Sequence, residues 1–270
     1  MPPAAMPPPA VLPATPLSSR ERPAGVLRLG THNIGGSPLG RYGLNGKSSR
    51  STKEDRLPEL LATWRAAELD VVCVQETRLV AAKVDEATEV LLRAGWQSFW
   101  CPAREGGIEE DGTPGGKERR PAGGVGILIR SELYRSGAVR VLSVDEEVSE
   151  IEPARFLLLD LEWGGHTFKL LSLHLRHIPQ LNKTAALHGW VTEEELAPLA
   201  AQDGMQIWAG DFNSVANRSP DIKGREGDDL SRTRLVDSGI ANRFTRNCEK
   251  LVDVWRHLHV SCKPVTHYIS

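Results

Sequence analysis

Long apolar runs are missing from this 270-residue sequence. No stretch approaches the roughly 20 residues that a membrane-spanning helix needs, so no span is expected. Cysteine is scarce: Cys73, Cys101, Cys248 and Cys262 lie far apart, with no CxxC pair. That usage excludes a disulfide framework and reads as reduced, mostly buried thiols in an intracellular protein. An excess of one charge is also missing, since Lys+Arg 33 against Asp+Glu 35 leaves a net charge of −2. A generally basic nucleic-acid coat is excluded, whereas a local basic face is not. No Walker-type phosphate loop occurs, which argues against nucleoside triphosphate use.

Proline is plentiful where it blocks structure. The segment from Met1 to about Ala24 is Pro/Ala-rich and includes Pro7-Pro8-Pro9. It has no apolar core for a secretory signal and reads as a disordered leader over residues 1–24. Residues 25–270 then form one domain, long enough for a large core without covalent staples.

Within that domain, strands and helices are mixed. Val26 to Asn33 alternates apolar and polar residues and stops at Ile34-Gly35-Gly36, as a strand does. Gly40 to Arg56 is a loop carrying Arg41, Lys47 and Arg50, a solvated run that can meet phosphates if it borders a site. Leu57, Leu60, Leu61 and Trp64 mark a helix, with Pro58 tolerated in its first turn. Val71 to Glu76 is an apolar strand buried on both faces and ending in a carboxylate. A second helix carries Val84, Ala87 and Leu91 and stops at Gly95. Trp96–Cys101, Gly123–Ile129, Val139–Val144, Arg155–Trp163 and His166–Leu173 read as strands, the last two joined by Gly164-Gly165 as a hairpin. The glycines at Gly123-Gly124 suggest close packing rather than phosphate binding, because no helix follows at once. Thr184 to about Gln202 reads as a helix, followed by a short buried strand through Ile207-Trp208-Ala209. Hairpins among the helices suit two packed sheets with helices outside, not an alternating doubly wound sheet.

Four strand ends carry polar groups: Asn33, Glu76, His174, and the pair Asp211 and Asn213. A hard oxygen ligand such as Glu76 suits Mg²⁺ or Mn²⁺, which takes few protein carboxylates and leaves room for a phosphate. Amides and imidazoles suit a phosphate oxygen that gains charge during reaction. One metal plus an acid/base side chain suffices for phosphodiester hydrolysis. His257, His259 and Cys262 lack a second ligand pair at zinc spacing and read as structural.

In order and spacing, Thr31-His-Asn33, Val74-Gln-Glu76, Gly123-Gly-Val-Gly-Ile127, Leu173-His174, Gly210-Asp-Phe-Asn213 and Leu251-Val-Asp-Val-Trp-Arg256 resemble the endonuclease/exonuclease/phosphatase family over about residues 26–270. Leu251 to Ile269 is most similar to the endonuclease domains of non-LTR retrotransposons, which are like apurinic/apyrimidinic endonucleases. The resemblance implies a four-layer α/β sandwich, two packed mixed sheets flanked by helices, that cleaves phosphodiesters with Mg²⁺ or Mn²⁺. It implies that Glu76 holds the metal with Asn33 on the metal or its water. Asp211 would move a proton or orient the attacking water, Asn213 would hold the scissile phosphate, and His174 would stabilise the phosphate or protonate the leaving oxygen. Arg41, Lys47, Arg50 and Arg176 are the DNA-contact candidates. DNA is the implied partner and a monomer the implied state. A reverse transcriptase polyprotein is the implied origin, and a nucleus the implied place for such an endonuclease.

The family pattern departs from this sequence in two places. The Pro and Asn that often follow the residue at His174 are here Arg176 and His177. The Asp-His pair that closes the family pattern is not found, so the expectation is a C-terminally truncated member, its last strands missing, with weak or absent cleavage unless they are supplied. Two other readings stay open on the same residues. One is a catalytically inactive remnant or nucleic-acid-binding module. The other is a phosphatase or phosphodiesterase of the same fold acting on other substrates.

Overall fold

A computed structural model describes residues 25–35, 57–104, 121, 123–148, 154–175 and 191–212. The Pro/Ala leader, the basic loop, Asn213, Arg176 and everything from 213 to 270 lie outside these described residues.

The described chain builds two four-stranded sheets. The first contains β1 (Leu29–Asn33), β2 (Val71–Gln75), β3 (Trp96–Cys101) and β4 (Val125–Arg130), in the order β1-β2-β4-β3. The second contains β5 (Val139–Asp145), β6 (Phe156–Trp163), β7 (His166–His174) and β8 (Met205–Asp211), in chain order. Each sheet is mixed in the same way: β1 and β2 run parallel at one edge, as do β7 and β8, and the remaining pairs are antiparallel. The helices are α1 (Leu57–Ala66), α2 (Val84–Arg93), α3 (Ser131–Arg135) and α4 (Ala197–Ala201).

Alternation along the strands produces four layers. Val71, Cys73, Ile127 and Ile129 of the first sheet meet Leu157, Leu159, Leu161 and Leu170 of the second. Each such fully buried aliphatic side chain contributes roughly 1.5–3 kcal/mol relative to exposure. The intervening residues Val72, Val74, Trp96, Trp100 and Leu128 face outward and are covered by Leu57, Leu61 and Trp64 of α1 and Ala87 and Leu91 of α2. On the far side, Phe156, Leu158, Leu171 and Leu173 are covered by Leu196 and Leu199. The result is helix, sheet, sheet, helix, with no barrel. No helix among the described residues is long and apolar enough to cross a membrane. Cys73 and Cys101 are buried free thiols, which burial pushes up to about 12 and about 11 respectively.

Two elements differ from the sequence reading. The first is the expected helix from Thr184 to Gln202. Residues 184–190 lie outside the described residues, and Val191–Leu196 is a π-helical turn that passes into α4. Pro198 explains the wide turn: it has no N–H to donate four residues back, and its ring would press on the carbonyl there. The second is α3, which the sequence reading lacks; one and a half turns carry too little periodicity to be seen.

Candidate metal and phosphate site

The topology places the site. Two parallel pairs, one from each sheet, end at the same rim, and the inward positions of their last residues are polar. β1 ends in Asn33, β2 runs into Glu76, β7 ends in His174 and β8 ends in Asp211. His174 and Asp211 are register partners in the β7–β8 ladder.

These four side chains meet. The Asn33 amide Nδ2 donates to Glu76 Oε1 at 3.1 Å and to Asp211 Oδ2 at 2.8 Å. Its Oδ1 accepts the Gly35 N–H at 3.0 Å, which fixes which end of the amide faces the carboxylates. His174 Nε2 lies 3.3 Å from Glu76 Oε1. Arg78 Nη2 stands 3.8 Å from Glu76 Oε2. The hydrogen bond from His174 is the largest of the causes that hold the Glu76 carboxyl down at about 2; Asn33 adds to it, and burial opposes it. Glu76 is therefore ionised throughout the neutral range.

The carrier of Glu76 is a strained turn. Glu76 and Arg78 take left-handed φ values of 52° and 50°, uncommon for residues with a Cβ. The turn is held by Gly123 and Gly124, whose carbonyls accept the N–H groups of Arg78 and Thr77, each at 3.0 Å. Gly124 has φ 84°, and a Cβ there would collide with Thr77 Oγ1. The glycine pair thus packs closely against the Glu76 turn, as the sequence reading held. Gly210 has a related task in β8, since a Cβ there would strike the Leu173 carbonyl.

Beneath the cluster runs a polar seam. Thr31 Oγ1 donates to Gln75 Oε1 at 3.2 Å, and Gln75 Nε2 donates across to Ser172 Oγ of the second sheet at 3.4 Å. Gln75 and Ser172 are almost wholly buried, so these bonds satisfy groups that water does not reach.

The structure therefore brings together Asn33, Glu76, His174 and Asp211. Asn213 and the candidates Arg41, Lys47, Arg50 and Arg176 lie outside the described residues. His32, inside the Thr-His-Asn motif, points away from the rim: its Nδ1 accepts the Trp64 indole N–H at 3.2 Å. Two cations at the rim, Arg78 and Arg155, escaped the sequence reading. An Arg just ahead of the apolar run Phe156–Leu159 was the available signal for the second.

Glu76, His174 and Asp211 each offer one ligand atom, and these atoms lie within 4.8 Å of one another. Two carboxylates so close are a fit for a small divalent cation, which would offset the repulsion between their like charges.

The fold and rim cluster define a four-layer α/β protein with a candidate metal-binding group between its sheets. The chain belongs to the Endonuclease/Exonuclease/phosphatase family, which matches residues 30–256. An AP endonuclease from Archaeoglobus fulgidus has a similar fold, with a TM-score of 0.60 at 15% identity over 90% of this chain and 78% of that one. An AP endonuclease from Leishmania major gives a TM-score of 0.54 at 20% identity, over 88% and 70%. A 3′ phosphatase from Neisseria, bound to product DNA hairpin, gives 0.52 at 16% identity, over 76% and 70%. No curated protein matches the sequence.

Proposed function

We propose that this protein is a metal-dependent phosphodiester hydrolase acting on DNA. The observation that carries the reading is the meeting of Asn33, Glu76, His174 and Asp211 from four strand ends and both sheets. Family membership and the solved neighbour whose name refers to a bound DNA hairpin support the choice of substrate. So does the likeness of Leu251 to Ile269 to retrotransposon endonuclease domains, which is carried by sequence alone.

Glu76, ionised at any working pH, and Asp211 hold Mg²⁺ or Mn²⁺ on this reading. When bound, the cation supplies charge neutralisation and Lewis acidity at a phosphate oxygen. Asn33 keeps the two carboxylates aimed at one point through its two N–H bonds. A metal-ligand role for Asn33 itself requires its amide to turn, because Oδ1 is held by the Gly35 N–H. His174 presents an N–H at the rim that a phosphoryl or leaving oxygen can accept. Arg78, half exposed beside Glu76, offers a second positive group to the incoming phosphate.

A supercoiled-plasmid nicking assay tests this. Mg²⁺-dependent nicking that EDTA removes and Glu76→Ala lowers about 10²-fold or more supports the reading, and overturns the expectation of weak or absent cleavage. Nicking that survives both treatments overturns the reading. Metal and duplex binding with no strand cleavage supports the non-catalytic module instead. Release of phosphate from a 3′-phosphorylated nicked duplex, with no nicking of the plasmid, moves the substrate to phosphomonoesters.

A further inference from the structure

Arg155 stands just before β6, at the point where β7 ends, because β6 and β7 run antiparallel with Phe156 opposite Leu173. Its backbone carbonyl accepts the His174 N–H at 2.9 Å. Its guanidinium Nη1 returns to the same residue, 3.1 Å from the ring Nδ1 and 3.2 Å from the His174 carbonyl oxygen. Both side chains are buried.

We propose that Arg155 is a positioning residue that fixes His174 as the Nε2–H tautomer and so removes the imidazole from the metal ligands. Among the described residues of the cluster, Glu76 and Asp211 then offer a cation carboxylate oxygen, and His174 offers it nothing. The ligand half of this inference rests on the proposed metal-dependent function; the tautomer half does not.

A guanidinium has five N–H groups and no lone pair, so its contact with Nδ1 is attractive only if Nδ1 carries the lone pair. In the neutral ring the proton then sits on Nε2. The other neighbour demands the same state. Nε2 faces Glu76 Oε1 at 3.3 Å, and an ionised carboxylate accepts but does not donate. Two independent partners on opposite edges of the ring select one tautomer.

An imidazole that ligates through Nε2 must carry its proton on Nδ1. Here that proton would face a guanidinium N–H in a buried space, donor against donor. Ligation through Nδ1 is blocked by the cation already there. Of the three side chains that could hold a metal, His174 is thus committed to donating. An oxygen-only set favours hard cations such as Mg²⁺ and Mn²⁺ over Zn²⁺, which takes nitrogen readily.

The test is nitrogen NMR of the imidazoles in the metal-free protein at mildly alkaline pH, with His174 assigned by its loss in His174→Gln. The expected wild-type spectrum shows Nδ1 unprotonated and Nε2 protonated, and Mg²⁺ leaves that pattern in place. Arg155→Lys, which keeps a cationic donor, retains it. Arg155→Leu admits the Nδ1–H form and raises Zn²⁺ affinity on the order of tenfold by calorimetry. A wild-type Nδ1–H tautomer overturns the proposal, as does an imidazole that ligates Mg²⁺. The wild-type spectrum decides the tautomer even if Arg155→Leu does not fold. Because it needs no turnover, absent nicking with the expected spectrum sinks only the proposed function. Nicking with the wrong tautomer sinks only this inference.

Discussion

Glu76 collects N–H donors from His174 and Asn33, and Arg78 adds positive charge on its other side. Its carboxyl is lowered from 4.5 to about 2, so folding favours the ionised form. The stability this supplies is complete above about 4.5, falls as the unfolded chain takes up a proton below that, and is gone once the pH passes below about 2. Glu76 keeps 29% of its side-chain surface exposed, and solvent screening reduces the contribution to about 1–2 kcal/mol. Urea unfolding of the EDTA-treated protein should show an acid limb between these two values. That limb should be shallower in Glu76→Gln; an unchanged limb would show that the carboxylate is not so held.

The same residue scale shows how sequence reading succeeds and where it stops. Asn33, Glu76, His174 and Asp211 stand out because each lies at or just past a strand end, and the four polar ends gain meaning together. Arg155 precedes its strand. It reaches the rim only because β6 begins where β7 ends, which is a fact of antiparallel pairing and not of local sequence. Arg78 is hidden for another reason: it sits in a turn whose left-handed residues carry no glycine to announce them.

At the scale of elements, Gly123 and Gly124 act as a strap. They receive the turn after β2 through the N–H groups of Thr77 and Arg78, while Gly124 N–H donates to Ala154 at 2.7 Å, next to Arg155. One glycine pair therefore sets the heights of both Glu76 and Arg155. Gly124→Ala is expected to cost about 1–3 kcal/mol from the left-handed φ, with the Thr77 clash in addition. It should also weaken Mg²⁺ binding, because the Glu76 turn must move. Urea midpoints and calorimetry check the two effects separately, and a stable variant with unaltered binding would refute the strap. The strands and the longer helices are legible because their apolar periods run for several residues. The π-helical turn before α4 is not, since it depends on how Pro198 is accommodated within an otherwise helical pattern.

At the scale of the whole molecule, each sheet carries one parallel pair, and the ends of the two pairs converge. The four-layer order was legible from hairpins among helices, but the convergence of the pairs was not, because strand order is set by pairing across long separations. Glu76 belongs to one sheet and Asp211 to the other, so a cation shared between them stabilises the docking of the sheets. Mg²⁺ at a hundredfold excess over its Kd should add about 2.7 kcal/mol to stability. For a domain of this size that raises Tm by roughly 5–10 °C. Differential scanning calorimetry should show the rise in the wild type and not in Glu76→Gln.

The bond from Asn33 to Asp211 spans 178 residues of chain. During synthesis, a chain that has emerged only through β4 holds Asn33 and Glu76 but neither His174 nor Asp211. On the reading proposed above, a half-made protein is harmless to the nucleic acid around it. Competence arrives as a single late event, when β8 slides in beside β7 and closes a loop that includes most of both sheets.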